Sequence, residues 1–269
     1  MTLSALIAAA GFTASAWAYD TKVLVTGHEL PKELQSVGVD EHLGANLDLD
    51  MQFTDESGQQ VPLRTFFRSP KPVLMAMVYY TCPSLCNYHL NGLNEAMKQL
   101  KWTTGQDFEL VAVSMNHNET PDVAAKKKAN YLQAYGRPQG SLGWHFLVGS
   151  KDNVAKLASQ LGFKFYWMED KQQFAHASVA YVVTPDGKIS RYLHGIQIEP
   201  NTLKLSLLEA SNGKIGSLIE HALMYCFQYD PQKSKYTIYA WNIMRIGAFL
   251  MVVILGILLI PVWWREKHA

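Results

Sequence analysis

Two cysteines separated by three residues, Cys82 and Cys86 in Thr81-Cys82-Pro83-Ser84-Leu85-Cys86, are where this sequence could first do chemistry. Four positions is about one helical turn, so sulfurs so spaced can converge on one point. A converging pair can close a disulfide or hold a soft metal such as Cu(I). Two buried, chemically idle thiols are the bland alternative. Where a cysteine opens a helix, the partial positive charge of the N-terminus favours thiolate over thiol.

The flanking elements put the pair at such a junction. Residues 73–80, VLMAMVYY, form an unbroken apolar run of strand length, the pattern of a buried central strand. After the pair, Cys86, Leu90, Leu93, Met97 and Leu100 recur at the spacing of one helical face. Pro83 suits a first helical turn and Ser84 can cap it. The stretch therefore reads strand, tight turn, helix.

The rest of the chain supplies more of the same alternation. Leu47, Leu49, Met51 and Phe53 alternate with polar residues as a strand, and residues 60–63 can return as its hairpin partner. Residues 108–115 read as a second buried strand. Thr120-Pro121 starts a helix to about Tyr135, and residues 144–148 make a short strand. Ser150 caps a helix closed by Gly162, and residues 163–168 are a further strand candidate. Residues 178–184 and 188–194 flank Pro185-Asp186-Gly187, a hairpin turn, and a last helix spans about 200–210. This order gives an α/β fold, a thioredoxin-like sandwich: a mixed central sheet with helices on both faces and an added N-terminal β-hairpin.

With YTCPSLC behind an apolar strand and His176 in FAHASVAYVVTPDGKI, the chain resembles the Sco/SenC family of cytochrome oxidase copper-assembly proteins over roughly residues 47–211. The resemblance implies that Cys82, Cys86 and His176 are copper ligands, for Cu(I) and Cu(II). It implies a copper metallochaperone that assists assembly of the binuclear copper site of cytochrome c oxidase. The partners would be subunit II of that oxidase or another cuproprotein, and a thiol-disulfide reductant. The family mixes metal delivery with thiol chemistry, so a thiol-disulfide reductase using Cys82 and Cys86 as a redox-active pair is the enzymatic alternative, and a peroxiredoxin-like peroxidase a weaker one. Thioredoxins place a cis-proline near His176, and no proline stands there.

Around these residues, His89 lies one turn beyond Cys86 among neighbours that suggest a surface position. Where the family carries an acidic, aspartate-containing segment, this chain has Asn116, His117, Asn118 and Glu119, with His117 read as an exposed loop residue. His28 and His42 read as surface histidines, and Cys226 as a thiol buried near the membrane or a transfer ligand with His221 and Met224.

The composition excludes other classes. Net charge is +1 from 24 basic and 23 acidic residues, with no basic stripe for nucleic acid, and 3 cysteines are too few for a disulfide scaffold. The ends are apolar. Residues 1–18 read as a signal peptide cleaved after Ala16-Trp17-Ala18, although no basic residue precedes the apolar stretch. The charge-free run over 246–264 is roughly 28 Å long as a helix, the thickness of a bilayer core. The expected organisation is therefore an irregular lead over 19–45, the thioredoxin-like copper-binding domain over 46–213, a juxtamembrane segment over 214–240, a C-terminal transmembrane helix in the lipid bilayer over 241–264, and a cytoplasmic tail over 265–269. This corresponds to a single-pass protein of a bacterial inner membrane with its domain on the periplasmic face.

Overall fold

The computed structural model describes residues 37–67, 70–82, 85–211, 227–230 and 235–238, with 244–245, 247–251, 253–255 and 257. The strands are β1 (Gly38–Val39), β2 (Gln52–Thr54), β3 (Gln60–Pro62), β4 (Val73–Val78), β5 (Glu109–Ser114), β6 (Trp144–Leu147), β7 (Phe163–Met168), β8 (Gln173–His176), β9 (Val179–Val183), β10 (Ile189–His194), β11 (Phe227–Asp230) and β12 (Lys235–Ile238). The helices that frame the site are α1 (Leu85–Gln99), α2 (Pro121–Tyr135), α3 (Lys151–Gln160) and α4 (Pro200–Ala210).

The central sheet runs β10-β9-β4-β5-β6. Strands β4, β5 and β6 are parallel, whereas β9 returns antiparallel to β4 and β10 antiparallel to β9. This is the mixed sheet expected from the sequence. All six residues of β4 are buried, as its unbroken apolar run requires of a strand covered on both sides. The β9–β10 turn is also as expected. Gly187 has φ +89, which its lack of a Cβ permits, and its N–H donates to Thr184 O at 2.9 Å.

Helix α1 packs against α2 and α4. Its position depends on Gly92, where an added Cβ would stand 1.9 Å from the Ile196 carbonyl oxygen. Any side chain there would lift the cysteine-bearing helix off the loop that follows β10. Helix α3 begins at Ser150, whose side chain accepts from Asn153 N at 3.3 Å, as expected of a cap.

Three local expectations are corrected. The alternation from Leu47 finds inward residues, with Leu47, Met51 and Phe53 all buried, but the strand starts only at Gln52. Asp48 Oδ1 accepts from Asp50 N at 3.0 Å, a local turn bond that competes with the ladder. Residues 173–176, read as loop, form β8, which pairs with β7 in a second sheet of order β1-β7-β8. In the segment read as juxtamembrane, β11 and β12 pair as an antiparallel hairpin.

The C-terminal transmembrane helix does not stand. Among the described residues no helix is long and apolar enough to cross a membrane. The remaining residues of 241–264 lie outside the described residues. An apolar run meets the length requirement on composition alone, and composition by itself does not establish a spanning helix. The signal peptide over 1–18, most of the lead with His28, and Cys226 with its neighbours also lie outside the described residues, as do the caps at Pro83 and Ser84.

Candidate metal centre

The parallel β4 and β5 end beside one another, with Val78 opposite Ser114. Beyond β4 the chain turns through Tyr79–Cys82 toward α1, and Cys86 is the second residue of that helix. The β8 strand ends on His176. Two elements distant in sequence thus meet, and Cys86 Sγ stands 3.0 Å from His176 Nε2. Cys82 completes the group, its thiol in hydrogen-bond contact with that of Cys86. Both cysteines are thiols and both are buried, Cys82 at 4% exposure and Cys86 at 0%.

The imidazole is held in one tautomer. His176 Nδ1 is 2.8 Å from the Ala177 carbonyl oxygen, which can only accept, so Nδ1 carries the proton. Nε2 therefore turns a lone pair toward Cys86. Burial holds the His176 pKa below the ordinary histidine value, against opposing effects of the Ala177 carbonyl and Cys82, which keeps the ring neutral. A neutral imidazole fixed through its other nitrogen is the form that binds metal.

Two soft sulfurs and one imidazole suit Cu(I). Among the described residues, however, no three His, Cys, Asp or Glu side chains stand ready as a metal cage. With bond lengths of about 2.3 Å to sulfur and 2.0 Å to nitrogen at a tetrahedral angle, a shared metal would hold the two atoms about 3.5 Å apart. The 3.0 Å contact is a hydrogen bond, about half an ångström shorter than a shared metal would allow.

The expectation of an activated thiolate at the helix start is corrected for Cys86. The hydrogen bond from Cys82 and then burial push its thiol well up, outweighing the favourable contributions of the Tyr79 backbone and Lys127. Desolvation near a fully buried sulfur exceeds the helix-terminal charge.

Groups not selected from the sequence brace the turn. Glu119, buried at 9% exposure, accepts from Tyr80 N at 2.8 Å, Thr81 N at 2.7 Å, Thr81 Oγ1 at 2.7 Å and Ser114 Oγ at 2.6 Å. A carboxylate from the β5–α2 loop therefore fixes the two residues before Cys82. The parallel pairing of β4 with β5 is the signal that could have found it, since residues just past the ends of neighbouring parallel strands must meet. On the other side Asn87 Nδ2 donates to Cys82 O at 2.7 Å, and Lys127 Nζ donates to Asn87 Oδ1.

The histidines sort themselves by burial. His117 is exposed, as expected, and does not reach the thiols. His42 is exposed as well. His89 is corrected: it is buried at 2%, its Nδ1 lying 3.1 Å from Gly195 O and 2.8 Å from Ser178 Oγ. Burial lowers its pKa to about 4. It ties α1 to the Ser178 side chain, just past His176, and to the Gly195 carbonyl, just past β10.

A family model, SCO1/SenC, matches residues 39–207. A SCO1 protein homolog of Bacillus subtilis is 24% identical over 151 residues, which span 55% of this chain and 74% of that protein. The structure of BsSco, described as a member of the Sco family of cytochrome c oxidase assembly proteins with a disulfide switch, superposes at TM-score 0.52 with 21% identity, over 64% of this chain and 97% of that one. That likeness shows a shared thioredoxin-like fold. A copper-bound ScoI of Arabidopsis thaliana is also similar, at TM-score 0.49 and 16% identity over 63% of this chain and 98% of its own.

Proposed function

The chain belongs to the SCO1/SenC family, and from that premise we propose that it binds one copper ion through Cys82, Cys86 and His176 and hands it to a cuproprotein during assembly of cytochrome c oxidase. The observation that carries this reading is the 3.0 Å approach of Cys86 Sγ to an imidazole nitrogen that carries a lone pair rather than a proton. Copper is the cargo. The two thiols lose their protons on loading, the Cys86–His176 contact opens, and the incoming partner's ligands displace these three one at a time. Closing Cys82 and Cys86 into a disulfide removes two of the three donors, so a thiol-disulfide reductant would restore capacity.

Burial speaks against the reductase reading. Thiol-disulfide exchange requires an accessible thiolate for in-line attack, whereas Cys86 is 0% exposed with its thiol pushed up. The test is copper stoichiometry on the reduced, anaerobic chain, wild type against His176→Ala. One tightly held copper in the wild type and less than a tenth in the variant is expected. Equal stoichiometry in both would remove His176 from the ligand set. No copper in either, with an intact exchange rate toward a model disulfide, would transfer the protein to the reductase class.

A further inference from the structure

Three consecutive lysines on α2 have three different fates. Lys126 is exposed, and Lys128 pairs with Glu56 from the β2–β3 turn. Lys127 is half-buried and turns toward α1, where its Nζ donates to Asn87 Oδ1. The same ammonium lies 5.9 Å from the centre of the Tyr131 ring, one turn further along α2. Tyr131 is itself fixed, its hydroxyl donating to Asn91 Oδ1 at 3.0 Å. Among the described residues no carboxylate forms an ion pair with Lys127. The Asn87 amide also faces the other way: its Nδ2 donates to Cys82 O at 2.7 Å, and Asn87 directly follows Cys86. One amide thus separates a cation from the backbone of both cysteines.

A half-buried ammonium is costly to desolvate, and an amide oxygen offsets less of that cost than a carboxylate does. The placement is favourable in a state where the neighbouring site turns negative. Resting on the copper reading above, we infer that Lys127 is the counter-charge of the Cu(I)-loaded site, held there by Asn87. Two thiolates, a neutral imidazole and Cu(I) sum to one negative charge, whereas the same donors around Cu(II) sum to zero. The metal-free pair of thiols is uncharged as well. Loading Cu(I) therefore adds a buried negative charge, on a turn that already holds the Glu119 carboxylate. A cation close by offsets that charge, so Lys127 favours Cu(I) over Cu(II). It is no ligand. It acts through space, from a position that Asn87 sets.

Lys127→Met in the full chain tests this, because it removes the charge and leaves an unbranched, helix-favouring side chain. Cu(I) affinity is read by competition with a chromophoric chelator, and the Cu(II)/Cu(I) midpoint by anaerobic redox titration of the loaded chain. One copper still binds, Cu(I) affinity falls about tenfold, and the midpoint falls by about 59 mV, the one-electron equivalent of that factor. Lys127→Arg keeps the cation and stays within twofold of the wild-type affinity. Weaker Cu(I) binding with an unmoved midpoint would overturn the charge role, because loss of the Asn87 bond alone weakens both oxidation states alike. Affinity and midpoint both unchanged would overturn it too, as would a Lys127→Arg chain no better than Lys127→Met. A wild type that binds no copper would take down the copper reading and this one with it.

Discussion

The parallel strands β4 and β5 end side by side and hand the chain to their helices in opposite ways. The β4 turn and the start of α1 carry the thiols of Cys82 and Cys86, and Asn87 holds the Cys82 carbonyl. The β5 turn carries no nucleophile, yet through Glu119 it supplies four hydrogen bonds, three to residues of the β4 turn. Chemistry and rigidity are divided between neighbours. On the copper reading proposed above, a site that opens to load a metal is braced from outside its own ligands, here by the adjacent connection.

Breaking that division at its stiff side has the largest expected effect. Glu119→Ala strands the Tyr80 and Thr81 N–H groups, the first of them buried, and stability should fall by about 3 kcal/mol, read as a shift in the denaturant midpoint at unchanged m-value. Glu119→Gln retains one acceptor oxygen and should recover much of the loss. A Glu119→Ala chain as stable as the wild type would mean that the β4 turn holds its own shape and that the comparison is wrong.

His89 sharpens the comparison, because it braces the third arm of the site. Its ring holds Ser178 and Gly195, next to the strand that ends on His176. Its pKa in the fold is depressed to about 4, so between that value and the ordinary histidine range the unfolded chain binds a proton that the fold does not. Stability is then full above about pH 6.5 and declines as pH falls toward 4, by about 2 kcal/mol at pH 5. His176, also depressed, contributes in the same direction. In the metal-free chain His89→Gln should flatten most of this slope in a series of denaturation midpoints. An unchanged slope would assign the pH dependence elsewhere.

These residues also mark what the sequence could and could not tell. The apolar run of β4 and the helical spacing from Cys86 identify their elements because one covered face or strand writes its period into the chain. Cys82, Cys86 and His176 were singled out through residue type and resemblance, and the structure brings Cys86 within 3.0 Å of His176. Glu119 was not, since a buried carboxylate is recognisable only from the donors folded around it, and those come from β4 and β5 together. His89 misled for the same reason: three positions past Cys86 it lies beside the buried stripe of α1, and the groups that cover it come from the ends of β9 and β10. The strand β8 was missed because four residues at half burial carry too little pattern to separate a strand from a loop.

The smallest effect is expected at the exposed part of the β5 turn. His117 stands two residues before Glu119 in the same β5–α2 connection, as a histidine near a site built from thiols and a histidine. It is exposed and borders an open groove of about 470 Å³ shared with Phe165, Trp167 and Phe174, whose lining holds neither cysteine. His117→Ala should therefore leave copper stoichiometry at one and shift stability by less than about 0.5 kcal/mol, the ordinary range for an exposed residue with no buried partner. A loss of copper in that variant would put the loop itself among the ligands. The division would then fail from its other side: the β5 connection would hold chemistry as well as rigidity, and Glu119 would be bracing a ligand loop rather than a passive one.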